Sequence, residues 1–150
     1  IRDLPAEIVS VKLGINIHGM CSMNARTFAP AVFGTLATIR EGHPNVPIVA
    51  ASPIWCPDRE RDANAAGITL QQMRVIIADC VADLRRRGDR DVLYVDGLSL
   101  FGPDLADYLP DRLHPDAEGY RRMGENFSRE VFTRLGVTPA ARTPAGRAGP

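Results

Sequence analysis

Lysine is almost missing from this chain. Lys12 is the only one, and arginine supplies the rest of the positive charge. The 18 basic residues meet 18 acidic ones, so the net charge is zero. A general nucleic-acid binder normally carries a basic excess, and the balance here argues against that class of partner. Arg85, Arg86, Arg87 and Arg90 form one basic run, but it falls at the end of a predicted helix, where it complements the helix dipole. Cysteine is also scarce. Cys21, Cys56 and Cys80 show no metal-binding spacing, and no metal or cofactor is implied. Cys80 falls on an apolar helix side; Cys21 and Cys56 lie in loops, which leaves a disulfide between them open. No apolar run reaches the roughly 18 residues of a membrane span, and no signal peptide is visible. What is present suffices for one domain with a core, since 45% of the 150 residues are hydrophobic.

Apolar strands alternate with amphipathic helices along the chain. Ile8 to Leu13 reads as a strand apolar on both faces, Ile48 to Ala51 as a second and Val92 to Val95 as a third. Between them lie helices of about Thr27 to Glu41, with Val32, Leu36 and Ile39 inward, and of Leu70 to Arg87. Leu70, Met73, Ile77, Val81 and Leu84 make the stripe of the second, and Thr69 with Gln72 makes a capping box at its start. The last helix spans about Ala117 to Leu135, with Tyr120, Met123, Phe127 and Val131 inward. Residues 137–150 are rich in Pro, Ala, Gly and Thr and read as a disordered tail. The order β-α-β-α-β-loop-α implies right-handed crossovers and a parallel sheet covered by helices on both sides, a three-layer α/β/α sandwich. Functional groups then collect at the carboxyl ends of the strands. Three loops open on that edge: Gly14–Asn24, Ser52–Asp58 and Gly97–His114. Asn16, His18, Trp55, Asp111 and His114 gather there.

The stretch Asp111-Arg112-Leu113-His114-Pro115-Asp116 carries the chemistry. Pro115 keeps His114 out of the α region, and Asp116 caps the helix that follows. Asp111 and His114 therefore share a short constrained loop. An Asp that accepts from one ring nitrogen leaves the other free as a base. By itself Asp-x-x-His is more often a capping or solvated pair; the convergence with Asn16 is what raises it.

With these residues in view the chain resembles the GDSL or SGNH family of serine esterases and acyltransferases. Leu13-Gly14-Ile15-Asn16 is similar to the family's Gly-x-Asn block, and Asp111-Arg112-Leu113-His114-Pro115 to its Asp-x-x-His block. Arg40-Glu41-Gly42-His43-Pro44 and Ser52-Pro53-Ile54 are similar to a GDSL-like lipase/acylhydrolase subgroup. The resemblance implies a flavodoxin-like SGNH fold over residues 1–136, as the C-terminal part of a catalytic domain. It implies His114 as base, Asp111 as its orienting acid and Asn16 as an oxyanion donor, acting on a small-molecule ester or acyl donor. His18 and Trp55 become substrate-binding candidates; His18, Asn24 and Arg26 equally serve to tie down their loop. One departure stands out. The family's Gly-Asp-Ser nucleophile block and its second, glycine-bearing block are absent. Ser10, Ser22, Ser52, Ser99 and Ser128 occupy no such setting, and Ser52 and Ser22 are merely the least unsuitable. The expectation is a nucleophile on an upstream part of the same domain. The rival from another class is a non-catalytic α/β module that binds a ligand or scaffolds a partner.

Overall fold

The computed structural model describes residues 1–137; the expected disordered tail lies, but for Val137, outside them. Three strands, β1 (Val9–Lys12), β2 (Ile48–Ala51) and β3 (Val92–Val95), form one sheet in the order β1-β2-β3. Both pairings are parallel, with Val9 opposite Ile48 and Ile48 opposite Val92. Between the strands run α1 (Ile15–Gly19), α2 (Ala25–Gly42) and α3 (Leu70–Arg86). After β3 come α4 (Gly97–Leu100), a 3-10 segment (Pro103–Tyr108), α5 (Ala117–Phe127), a π-helical turn (Ser128–Phe132) and α6 (Thr133–Leu135).

The period-two geometry of the strands explains the two cores. Ile48, Ala50 and Val92 point to one face, where they meet Phe28, Val32 and Leu36 of α2 and Met73, Ile77 and Val81 of α3. Val49, Ala51 and Val95 point to the other, where Leu100, Phe101, Leu105 and Val131 cover them. All four residues of β2 are buried, as a central strand with helices on both faces requires. The expected α/β/α sandwich is what forms. On the second face β1 is bare among the described residues: Ser10 and Lys12 are exposed.

The two outer edges also differ. Val92 and Tyr94 turn their carbonyls away from β2, and guanidinium groups take both: Arg85 Nη1 donates to Val92 O at 2.9 Å and Arg134 Nη1 to Tyr94 O at 3.0 Å. On β1, Val9 and Leu13 donate to β2, at Pro47 O and Ala51 O. The alternation turns the peptide groups of Ser10 and Lys12 outward, where they meet no partner among the described residues. An open edge of this kind is a template for another strand.

Local chemistry sets the element ends. The capping box at Thr69 forms, with Gln72 N donating to Thr69 Oγ1 at 3.1 Å and Thr69 N to Gln72 Oε1 at 3.0 Å. Helix α2 begins earlier than the apolar stripe suggests, because Asn24 and Thr27 make a capping box that admits Ala25 and Arg26. Two segments read as loop are helical. Residues 15–19 close one turn after Gly14, and the long passage after β3 contains α4, capped by the Asp96 carboxylate, and the 3-10 segment. Both pieces are shorter than a periodic pattern needs to declare itself. No helix among the described residues is long and apolar enough to cross a membrane.

Gly97 marks the tightest crossing. A Cβ there would lie 2.1 Å from Pro53 O and 2.5 Å from Ser52 O. In α5, a Cβ on Gly124 would meet nothing within 4 Å. Gly97→Ala should therefore destabilise by at least about 2 kcal/mol through backbone overlap, whereas Gly124→Ala should stabilise by up to about 1 kcal/mol through helix propensity. Urea unfolding of the two variants checks the opposite signs.

Candidate active site

The carboxyl ends of β1 and β2 and the loop before α5 enclose a cavity of about 520 Å³. Asn16 and His114 both line it, together with Lys12, Arg59, Tyr120 and an apolar floor that includes Ile54 and Leu113. Asn16 arrives there through Gly14, whose φ of 115° is a left-handed value that disfavours a side chain. A Cβ on Gly14 would also stand 2.7 Å from Pro53 Cγ. The backbone turns at this point and starts α1 with Asn16 in its first turn.

Asp111 builds the His114 loop with both of its oxygens. Oδ1 accepts from Leu113 N at 3.0 Å and from His114 N at 2.7 Å, which folds the backbone into an Asx turn. Oδ2 lies 2.6 Å from His114 Nδ1. The donors at His114 N, His114 Nδ1 and Leu113 N, in that order of weight, hold the Asp111 carboxyl far below the usual carboxylate range. An ionised carboxylate can only accept, so Nδ1 carries the proton in this contact, and Nε2 is the nitrogen not engaged by Asp111. Both side chains are exposed.

Two contacts fix this loop to the one after β2. Arg112, at a left-handed φ of 64°, forks onto Asp58 with Nε to Oδ2 at 2.8 Å and Nη2 to Oδ1 at 2.5 Å. Cys56 Sγ donates to Arg112 O at 3.4 Å. Burial pushes the Cys56 thiol up in pKa, away from thiolate reactivity. Behind both sits Arg74 of α3, a buried guanidinium. Its Nε donates to Pro53 O at 2.8 Å and Nη2 to Ile54 O at 3.2 Å, and Glu60 takes two further bonds of 2.6 Å each. Glu60 Oε1 also accepts from Cys56 N at 2.9 Å.

The other sequence candidates lie elsewhere. His18 is buried, 5% exposed, and does not line the cavity. Its Nε2 finds no partner among the described residues, while its carbonyl accepts from Asn64 Nδ2 at 2.8 Å. Burial first, then the Arg59 charge, lower its pKa, which favours a neutral ring that packs α1 down. Trp55 is half-buried against the Leu100–Phe101 side of the sheet, its backbone N–H donating to Phe101 O at 3.0 Å, and it too is off the cavity wall. Asn24 is spent on capping α2, and Arg26 does not reach the cavity. The three cysteines are free thiols, so the Cys21–Cys56 pairing does not form.

Tyr120 corrects a core assignment. It is 50% exposed and lines the cavity. Asp116 caps α5 through Gly119 N at 2.8 Å, and Gly119 is the residue that faces inward, its position crowded by Tyr108 and Phe101. Glycine adds nothing to a hydrophobic pattern, so the apolar stripe registers one residue late in the sequence. Arg74 was missed as well, although it sits three residues before Ile77 and four after Leu70, inside the apolar arc of α3. A charge in that arc is the signal that could have found it.

No serine lines the cavity among the described residues. Ser52 is fully buried, its Oγ 3.1 Å from Tyr94 OH and accepting from Gly97 N at 2.9 Å. Ser99 Oγ is bound to Asp96 O. Ser22 is exposed beyond α1, and Ser10 is exposed on β1.

Two measurements test this arrangement. Carbon-13 titration should place the Asp111 midpoint below the ordinary value of about 3.9. Because the backbone donors remain, His114→Ala should raise it only part of the way. A folded-state pKa below the unfolded one contributes stability at neutral pH that is lost as pH falls through the acid range, so Asp111→Asn should flatten the acid limb of the pH–stability curve. Separately, Arg74→Met leaves Glu60 and two carbonyls without their donor and should cost about 3–5 kcal/mol in urea unfolding. The loss in Glu60→Gln/Arg74→Met should be smaller than the sum of the single losses.

No family model and no curated protein matches the chain in sequence. Solved structures do. A salicylyl-acyltransferase from a tetracycline biosynthetic pathway is 32% identical over 93% of this chain, with a TM-score of 0.79. A GDSL-like lipase from Bacteroides ovatus superposes over 91% with 18% identity and a TM-score of 0.69. A family two carbohydrate esterase from Clostridium thermocellum covers 87% with 21% identity and a TM-score of 0.65. The chain spans 41%, 38% and 36% of those three chains. Set beside the parallel sheet, the Gly14-Ile15-Asn16 turn and the Asp111–His114 loop, these likenesses identify the fold: the chain has the α/β/α architecture of the GDSL/SGNH hydrolases.

Proposed function

We propose that the chain is the Asp–His-bearing part of a serine ester hydrolase or acyltransferase domain whose nucleophile lies on an upstream segment. The observation that carries the reading is the Asp111-anchored His114 on the same cavity as Asn16. A serine hydroxyl is a poor nucleophile until a base takes its proton. His114 Nε2 is that base: it accepts the proton as the oxygen attacks the ester carbonyl and returns it to the departing alcohol. Asp111 holds the tautomer and stabilises the imidazolium. Asn16 offers its side-chain NH₂ to the oxyanion, a contribution of about 10²–10³ in rate. The acyl-enzyme then passes its acyl group to water or to another alcohol, and every residue named here serves both outcomes.

Three observations support an upstream contribution. No serine among the described residues lines the cavity, the β1 edge is open, and the chain spans about two fifths of the acyltransferase it matches. The absence of a serine at the cavity also suits a non-catalytic ligand-binding module, and the same experiment separates the two.

Hydrolysis of a chromogenic short-chain ester should appear with the full-length protein and not with the 150-residue chain alone. In the full-length protein His114→Ala should lower kcat/KM by about 10³-fold or more, and Asn16→Ala by about 10²–10³. An inactive full-length protein, or one indifferent to the loss of His114, would overturn the catalytic reading and favour the binding module. Full activity in the short chain would mean that the nucleophile lies within it.

A further inference from the structure

Among the described residues the cavity wall holds two side-chain cations, Lys12 and Arg59, and no carboxylate. Lys12 enters from the end of β1 and Arg59 from the loop after β2. Neither forms an ion pair among the described residues, whereas the arginines around them are spoken for: Arg74 by Glu60 and Arg112 by Asp58. The acids nearest in sequence to Arg59 are thus both engaged, and Asp111 is committed to His114. In a chain of zero net charge this leaves a local positive excess at the proposed reacting centre. Arg59 is half-buried and lies over Gly19, where a Cβ would stand 3.2 Å from its Nη1, so its guanidinium sits beside the helix that carries Asn16. The rest of the wall, Ile15, Met20 and Ile54 among it, is apolar enough to strengthen such a contact.

Resting on the reading above, we infer that the molecule taken by this cavity carries, besides its ester, an anionic group, carboxylate or phosphate, held by Lys12 and Arg59. The preference enters through ground-state recognition: charge-assisted bonds from an ammonium and a guanidinium bind a negatively charged acyl or alcohol portion and leave a neutral analogue of the same shape with two unpaired cations.

The test uses wild-type full-length protein and amide mimics, so that binding is read without turnover. N-methylsuccinamate carries a carboxylate, N-methyl-3-phosphonopropanamide a phosphonate, and N-methylbutanamide no charge. Calorimetric Kd values at low salt should favour at least one anionic mimic over the neutral one by about ten-fold or more, and the better of the two identifies the anion. Lys12→Gln and Arg59→Gln should each erode that advantage, and the double variant should bring it to within about threefold. Added salt should weaken the anionic mimics selectively. Equal affinity for all three mimics, or an anion preference that survives in the double variant, overturns the inference. Because no ester is cleaved, anion preference in a full-length protein that hydrolyses nothing would uphold this inference while the catalytic reading fails; hydrolysis without anion preference would do the reverse.

Discussion

The buried guanidinium of Arg74 is the contact on which the site depends. It projects from the second turn of α3, inside the apolar arc, and is spent entirely on the loop that leaves β2. A loop of that kind, interrupted by Pro53 and Pro57, cannot satisfy its own carbonyls through a ladder. Arg74 supplies the missing donors to Pro53 and Ile54, and Glu60 closes the circle by balancing the charge and accepting from Cys56 N. A single buried charge would be prohibitive, but four bonds to oxygen, two of them to the bidentate Glu60 carboxylate, make it tolerable. Replacing the pair with apolar side chains could retain stability and would still lose the loop's shape. Its role is thus geometric: it sets where Ile54, Cys56, Asp58 and Arg59 stand.

From that loop the order passes to the Asp111–His114 segment through Asp58 and Cys56. The Arg112–Asp58 fork is exposed, 63% and 58% for the two side chains, so it adds little to global stability. Its geometry matters more than its energy. Arg112 occupies a left-handed backbone position, which a non-glycine residue adopts at some expense. The fork on one side and the Cys56 thiol on the carbonyl hold it there. With Arg112 fixed, Asp111 can close its Asx turn and still reach the His114 ring. The exposed Asp–His pair is therefore organised by a chain of contacts that runs from buried Arg74 and Cys56 to the exposed Arg112–Asp58 fork.

Much of this was legible in the residues. The three strands are short apolar runs, and their helix-separated order leaves parallel pairing as the natural outcome. Asp111 and His114 were visible because Pro115 and Asp116 constrain the same few residues. What escaped has common causes. Tyr120 looked like core because Gly119, the truly inward residue, has no side chain to register. Helix α1 is one turn long and capped by a glycine of positive φ, below the reach of periodicity. His18 and Trp55 were placed on the correct sheet edge, but a loop's direction does not say which of its side chains turn inward. Arg74 and Arg59 carried no motif; their meaning comes from partners that are distant in sequence or, for Arg59, from the lack of one.

The two edges of the sheet bear on how such a site is completed. At β3 the outward carbonyls are covered by Arg85 and Arg134, so that edge is closed to another strand. At β1 the outward peptide groups are open, and the second face of the same strand is bare at Ser10 and Lys12. The cavity lies on this side, because Lys12 and Asn16 form its wall at the end of β1. A strand added in parallel to β1 would run in the same direction and end beside Leu13 to Ile15. Whatever follows it would emerge at the mouth of the cavity, opposite the His114 loop. The sheet is thus open to extension on the edge where the proposed chemistry lacks its nucleophile and closed on the other. Because a parallel sheet sends every strand end to the same side, the open edge and the proposed site share one end of the sheet.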